Sequence, residues 1–223
     1  MNKEALELLV SCAAEFGIAL TAKEIGLFNA FAEELKKWNR KINLTAIKDD
    51  REIVIKHFTD SLSLLGSLKM SGALLDIGSG GGFPAIPLKI MLPHLSVTSV
   101  DAVEKKVLFQ RHAARVLQLQ DFSALHLRAE ELTKSHACMF DSIVSRAFSD
   151  LPFFVSLALP LLKKSGQIIA MKGREGREEV VAAEKQLDDQ GAKVVDCIHL
   201  KLPVSGAERF LVVVEKLTEQ TAE

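Results

Sequence analysis

Ala73-Leu74-Leu75-Asp76-Ile77-Gly78-Ser79-Gly80-Gly81-Gly82-Phe83-Pro84-Ala85-Ile86-Pro87-Leu88, with Val97-Thr98-Ser99-Val100-Asp101 after it, decides the fold of this chain. An apolar run ends in an acid, glycines follow, and then Pro and apolar residues recur at helical spacing. This reads as a strand, a tight turn and the opening of a helix. Glycine lets the chain turn sharply and lets a ligand approach backbone N–H groups with no Cβ in the way. A second strand ends in Asp101, roughly 20 residues past the turn, where α/β nucleotide-binding folds set an acid against ribose hydroxyls. The pattern predicts a ligand that carries a nucleoside.

Outward from this unit, strands and helices alternate. Strands are expected over 73–77, 97–100, 122–127, 141–145 and 167–171, and helices over 87–91, 104–117, 151–162 and 175–190. Such alternation implies a parallel sheet with helices on both faces. The tail departs from it. Residues 192–200 and 209–216 are two strand-like runs with no helix between them, so they should pair antiparallel. Upstream, Leu6, Leu9, Val10, Ala13 and Ala14 mark one helix face, and Leu27, Phe28, Phe31, Leu35 and Trp38 mark another. Thr21 with Glu24 forms a capping box for the second of these helices. Residues 39–45 break the pattern, a helix is expected over 52–68, and Ser71-Gly72 closes the helical region. The expected organisation is a helical N-terminal region (1–70) before an α/β unit (71–218). That unit is a mostly parallel seven-stranded, Rossmann-like sheet with an antiparallel terminal hairpin.

Two details of the glycine turn choose among nucleoside ligands. The pattern is Asp76-x-Gly78-x-Gly80-x-Gly82, and Phe83 stands where a dinucleotide fingerprint would place its third glycine. A pyrophosphate also needs a bare helix N-terminus, whereas Pro84 and Pro87 remove two amide donors there. S-adenosyl-L-methionine carries no phosphate and tolerates both features. A sheet that ends in a hairpin after its fifth strand is likewise the habit of class I methyltransferases that use this cofactor.

The rest of the composition narrows the setting. The chain has 223 residues, 48% of them hydrophobic, which suits one full α/β unit with an appendage. Net charge is −1, so any nucleic-acid contact must be a local patch rather than a global field. Cys12, Cys138 and Cys197 lack metal or redox spacing and read as reduced cytoplasmic thiols. The six histidines are dispersed, so no metal site is expected. No apolar run is long enough for a membrane span and no leader pattern opens the chain, so a soluble, cytoplasmic protein is expected, with nothing that demands more than a monomer.

Asp76-Ile77-Gly78-Ser79-Gly80-Gly81-Gly82-Phe83-Pro84-Ala85-Ile86-Pro87-Leu88 resembles the signature of the bacterial glucose-inhibited division protein B family, the ribosomal RNA small-subunit methyltransferase G proteins. Further matches cover most of the chain: Trp38-Asn39-x-Lys41-x-Asn43-Leu44-Thr45 with Ile47, and His57-Phe58-x-Asp60-Ser61-Leu62. They continue with Asp101-Ala102-x-x-Lys105-Lys106-x-x-Phe109, Arg128-Ala129-Glu130, Ser145-Arg146-Ala147-Phe148 and Met171-Lys172-Gly173. One departure is Ala85, where the family usually has glycine. The resemblance implies methyl transfer from S-adenosyl-L-methionine to N7 of a guanine in 16S ribosomal RNA, with S-adenosyl-L-homocysteine as product and the free RNA or the 30S subunit as substrate.

By motif, the resemblance places cofactor contacts at Gly78, Phe83, Ala129, Glu130 and Arg146. Residue chemistry fits these positions: Gly78 admits the methionine part against the backbone, Phe83 can pack on the ligand, and Asp101 suits the ribose. Ala129 and Glu130 offer a backbone N–H and a carboxylate to an adenine edge, although Glu130 could instead be a helix-terminal charge beside Glu131. Arg146 ends the central fourth strand, where such sheets bind ligands, and could orient the guanine or the methionine carboxylate. It could equally form an ion pair with Asp76 or Asp150.

N7 of guanine carries an in-plane lone pair and no proton, so its methylation needs no general base. No catalytic acid or base is nominated; alignment of N7, methyl and sulfur carries the expected catalysis. RNA contact is expected from Lys172 and Arg174, with Arg146 and Arg177, near the carboxyl edge of the sheet. Lys36 and Lys37 read as a solvated helix face and Trp38 as core. A small-molecule methyltransferase and a non-catalytic cofactor-binding ribosome factor stay open as alternatives.

Overall fold

A computed structural model of the chain describes residues 1–68, 70–146 and 150–217. Ala147 and Phe148 of the fourth-strand motif, and residue 218, lie outside the described residues. Two N-terminal helices, α1 (Lys3–Glu15) and α2 (Ala22–Asn39), open the chain, and the Thr21–Glu24 capping box forms as expected. A third helical stretch runs through α3 (Asp50–Ile53), a π-helical segment (Val54–Thr59) and α4 (Asp60–Ser67). Wide π turns recur at functional sites because they re-aim side chains along a helix.

The sheet then builds from β1 (Ala73–Ile77), β2 (Ser96–Asp101), β3 (Phe122–His126), β4 (Phe140–Arg146), β5 (Leu162–Lys172), β6 (Ala192–Lys201) and β7 (Glu208–Lys216). Its order is β3-β2-β1-β4-β5-β7-β6. β7 enters antiparallel between β5 and β6, so the expected terminal hairpin is present and contributes the last two of seven strands. The crossover helices are α5 (Ala85–Met91), α6 (Glu104–Val116), the one-turn α7 (Thr133–His136), α8 (Leu151–Ala158) and α9 (Gly176–Asp189).

Two boundaries differ from the sequence reading. The helix expected over 151–162 stops at Ala158, and a 3-10 turn (Leu159–Leu161) follows. Pro160 explains this, since proline removes a ladder donor and disfavours helical geometry at the residue before it. β5 therefore starts at Leu162, which pairs with Phe140 before an irregularity in the ladder. The helix after the glycine turn starts two residues earlier than expected, at Ala85, because Asp76 Oδ2 accepts its N–H at 3.0 Å.

Both sheet faces are buried, so successive strand residues point into different cores. Leu75, Ile143, Ile168 and Val212 pack with α8 and α9, whereas Leu74, Val144, Ile169 and Leu211 pack with Leu88 of α5 and Leu64 of α4. A third core joins the N-terminal helices to the sheet. Phe28, Phe31 and Leu35 of α2 and Phe58 of the π segment pack with Phe83, Ile86 and Phe109. Each fully buried Phe or Leu contributes about 1.5–3 kcal/mol. That seam fixes the N-terminal helices against the glycine turn.

Candidate active site

The carboxyl ends of β1, β2 and β4 gather at one edge, the place where open α/β sheets bind ligands. At the turn after β1, Gly78 has φ 75° and Gly80 has φ 59°, a region that L side chains rarely adopt. Gly78 N–H donates to Val100 O at 2.8 Å, and Gly80 N–H donates to Asp101 Oδ2 at 2.9 Å. Asp101 Oδ1 accepts from Val103 N–H at 2.8 Å, and Lys106 Nζ lies 3.6 Å from Oδ2. The acid at the end of β2 thus braces the turn, while each of its oxygens keeps a second lone pair for a ligand.

Gly78, Asp101, Ala129 and Glu130 all line one cleft of about 450 Å³, with Lys106, Arg128 and Phe153 among its other wall residues. Four of the six cofactor positions expected from sequence are therefore side by side. Ala129 and Glu130 lie in a 3-10 turn (Ala129–Glu131). Glu131, not Glu130, takes the helix-terminal role: its Oε2 accepts from Arg128 N–H at 2.8 Å. Glu130 is exposed, and its carboxylate has no hydrogen-bond partner among the described residues. Phe153 was not singled out from sequence. Its ring is 43% exposed on α8 beside the cleft, and nothing in the helix pattern marks it apart from core phenylalanines.

The first turn of α5 has no amide to spare. Ala85 N–H goes to Asp76 and Ile86 N–H to Gly82 O at 2.8 Å, and residue 87 is proline. A pyrophosphate would find no free donors there. Beneath the turn, Asp76 is fully buried, and its Oδ1 and the neighbouring Ser79 Oγ make no well-formed hydrogen bond among the described residues. Burial pushes the Asp76 carboxyl up to about 7, against the pull of the nearby Ser79 hydroxyl, the Ala85 N–H and Arg146.

Phe83 and Arg146 occupy a second, adjoining cluster. The Phe83 ring does not offer itself to a ligand in the cleft: it is 2% exposed and stacks on His57 at 4.3 Å, with Phe31 at 5.2 Å. An aromatic ring gains more from this seam than from a wet cleft, so the Phe83 side chain packs here, and its N–H donates to Ser79 O at 2.9 Å. Arg146 lies over the outer side of that ring, 5.3 Å from the centroid.

Neither sequence-expected partner of Arg146 holds its guanidinium. Nη1 lies 3.5 Å from Asp60 Oδ2 and donates to Lys56 O at 3.1 Å, while Nη2 donates to His57 Nδ1 at 3.3 Å. Asp76 acts on it through charge alone. Because Nδ1 accepts, the imidazole proton sits on Nε2 and donates to Thr45 Oγ1 at 3.0 Å. Burial, with Arg146 beside it, pushes the His57 pKa down to about 3. Asp60 is buried as well, and its Oδ1 accepts from Arg209 Nε at 2.8 Å. His57, Asp60 and Arg209 were not assigned roles from sequence, although the first two stand in a quoted motif. Only folding brings β7 against the start of α4.

Lys172 ends β5, with Nζ 2.7 Å from Glu179, and it shares an open hollow with Arg174. Arg174 is 88% exposed and only loosely paired with Glu208, at 4.0 Å. Arg177 opens α9 nearby and is exposed. Lys36 departs from the solvated-face reading: it bonds Asp50 at 2.7 Å and Glu33 at 2.9 Å, tying α2 to α3. Lys37 is exposed, and Trp38, half-buried, packs on Phe109 at 5.7 Å at the margin of the core.

A family model described as "GidB: rRNA small subunit methyltransferase G" matches residues 24–208. The chain belongs to this family. It is 60% identical to the Ribosomal RNA small subunit methyltransferase G of Geotalea uraniireducens, covering 98% of this chain and 100% of that one. The protein of the same name from Deinococcus deserti is 41% identical over 98% of this chain and 91% of its own length. Among solved structures, Pyrococcus horikoshii TYW2 in complex with MeSAdo matches at a TM-score of 0.57 and 13% identity, covering 71% of this chain and 62% of that one. A 16S rRNA (adenine(1408)-N(1))-methyltransferase from Catenulisporales acidiphilia matches at a TM-score of 0.56 and 13% identity, over 66% of this chain and 86% of that one. These two likenesses establish the fold, a class I methyltransferase sheet. No helix among the described residues is long and apolar enough to cross a membrane.

Proposed function

We propose that this chain transfers a methyl group from S-adenosyl-L-methionine to N7 of a guanine in 16S ribosomal RNA, with S-adenosyl-L-homocysteine as product. The observation that carries this reading is the convergence of Gly78, Asp101, Ala129 and Glu130 on one cleft, in a chain of this family. When bound, the cofactor supplies a methyl group activated on a sulfonium.

The residues support a division of labour. The positive-φ turn at Gly78 gives close backbone approach. Asp101 receives ribose hydroxyls on its spare lone pairs, and Glu130 with the Ala129 N–H reads the adenine edge. Phe83 serves through its backbone. Arg146, fixed by Asp60 and His57, orients the guanine or the methionine carboxylate.

N7 needs no base, and the groups beside Arg146 agree with that: His57 is neutral, with both ring nitrogens engaged. Catalysis then rests on alignment in a held geometry. Lys172 and Arg174 meet RNA phosphates. Residues 71–218 form the methyltransferase unit and 1–70 a supporting region that contacts RNA, in a cytoplasmic monomer acting on 16S RNA or the 30S subunit.

The test is incubation with S-adenosyl-L-methionine labelled in its methyl group, offered 16S RNA, 30S subunits or a pool of small metabolites. Label in RNA supports the reading. Label confined to metabolites, or cofactor binding with no transfer, overturns it.

A further inference from the structure

The terminal hairpin ends at the same edge as the site. Because β7 runs antiparallel, its first residues lie beside the last residues of β5 and β6: Lys172 is paired with Phe210, His199 with Phe210, and Lys201 with Glu208. Residues directly opposite in a ladder share a face, as do residues two apart along a strand. Lys172, Phe210 and His199 therefore form one row across three strands, and Lys201 with Glu208 lies on the same face one step along.

Within that row, the His199 ring stacks on Phe210, with centroids 4.6 Å apart and planes 22° from parallel. Phe210 is buried, whereas the His199 side chain is 46% exposed. An aromatic ring backed by a second ring is already ordered, so a further ring laid upon it costs little conformational entropy. Arg174 stands at the same edge, 88% exposed, and Lys201 is exposed. Glu208 lies 3.8 Å from His199 and 4.0 Å from Arg174, and Lys172 is held by Glu179 at 2.7 Å in a hollow that Asp150 and Glu175 also line. Arg174, loosely held, and Lys201 are the exposed cations of this face.

We propose that His199, seated on Phe210, is a stacking platform for an unpaired base of the RNA that neighbours the methylated guanine, with Arg174 and Lys201 on the flanking phosphates. This rests on the ribosomal-RNA reading above. An exposed aromatic ring beside exposed cations is the combination that single-stranded nucleic acid requires, since every base has a π face and every nucleotide a phosphate. An acidic or apolar protein surface would leave one half of that combination unused. Three strand spacings, about 14 Å, separate the backbones of β4 and β6 at this edge. Arg146 follows the face of Val144 and His199 the opposite face, that of Phe210, so an RNA strand reaches the platform over the carboxyl edge, a few nucleotides from the guanine.

The experiment compares wild type, His199→Ala and His199→Phe as full-length enzymes. It measures binding of a short fluorescein-labelled single-stranded RNA and of 30S subunits by anisotropy, KM and kcat for methyl transfer to 16S RNA, and cofactor affinity by calorimetry. His199→Ala is expected to weaken RNA binding about tenfold, from the loss of one base stack, with the effect on KM rather than kcat. Cofactor affinity stays at the wild-type value. His199→Phe restores binding because it keeps the ring. Unchanged RNA affinity in His199→Ala overturns the proposal, as does a His199→Phe variant as weak as the alanine one. Wild-type binding of RNA without methyl transfer would overturn the functional reading while leaving the platform standing. Absence of RNA binding by wild type would overturn both, and a 30S-only effect retained on RNA-free ribosomal proteins would assign the surface to a protein partner instead.

Discussion

Nη2 of Arg146 donates to Nδ1 of His57 across 3.3 Å, joining the end of the fourth strand to the π segment of the N-terminal helices. Through this bond the imidazole, held behind by Thr45 and stacked on Phe83, sets where the guanidinium points. The relationship makes His57 a positioning residue rather than a proton carrier.

Substituting His57→Phe keeps a ring on Phe83 and removes the acceptor. The rate of methyl transfer should fall about tenfold, the scale of one lost hydrogen bond to a charged group. Initial rates with labelled cofactor and a thermal melt check this; a full rate would contradict it. The pH response follows from the depressed pKa. Folded His57 resists protonation down to about pH 3, whereas the unfolded chain takes up a proton near 6.5. Its contribution is therefore complete above pH 6.5 and lost as pH falls from there towards 3. Wild type should lose more stability than His57→Phe between pH 7 and pH 4.

Asp60 is the shared carboxylate of Arg146 and Arg209, with one oxygen toward each. Removing it leaves two partly buried guanidiniums facing each other. Asp60→Ala should destabilise the fold by about 3–5 kcal/mol, the cost typical of breaking a buried ion pair from one side. Chemical denaturation measures this, and a loss below 1 kcal/mol would place the pair among weak surface bridges.

Asp76 responds to pH in the opposite sense. Its carboxyl is raised to about 7 in the fold and lies near 3.8 when exposed, so the folded state keeps a proton that the unfolded state gives up. Stability from this residue falls as pH rises from about 4 to about 7, and the full cost stands above 7. Asp76→Asn removes that cost while an amide oxygen can still accept from Ala85 N–H. The variant should be more stable than wild type at pH 8, by on the order of a few kcal/mol, and no more stable at pH 4. Equal melting curves at pH 8 would contradict this.

Lys172→Ala should raise KM for RNA severalfold and leave cofactor affinity intact, because Lys172 lies in the hollow with Arg174 rather than in the cleft lined by Gly78 and Asp101. Its pairing with Glu179 adds a modest stability loss of about 1 kcal/mol. Unchanged turnover on RNA would remove it from the RNA surface.

Much of this arrangement is legible in the sequence where one local pattern decides it. The alternation of strand and helix, the helix-free tail and the glycine turn each follow from neighbours along the chain, and the sheet order agrees with all three. Glu130 is an instructive middle case: the sequence offers two carboxylates for one helix-terminal role, and only geometry gives that role to Glu131. The Phe83 ring, the partners of Arg146 and the role of Arg209 were out of reach. They depend on packing between segments 86 and 149 residues apart, which no periodicity encodes. Lys36 was misread for the same reason, since its partner Asp50 lies in the next helix.

The central claim is an N7-methylguanine in small-subunit RNA. Borohydride reduction followed by aniline treatment cleaves RNA at that nucleotide. RNA from cells that contain this protein should break at one site in the 16S molecule, and RNA from cells that lack it should remain whole there. The same cleavage in both would contradict the account.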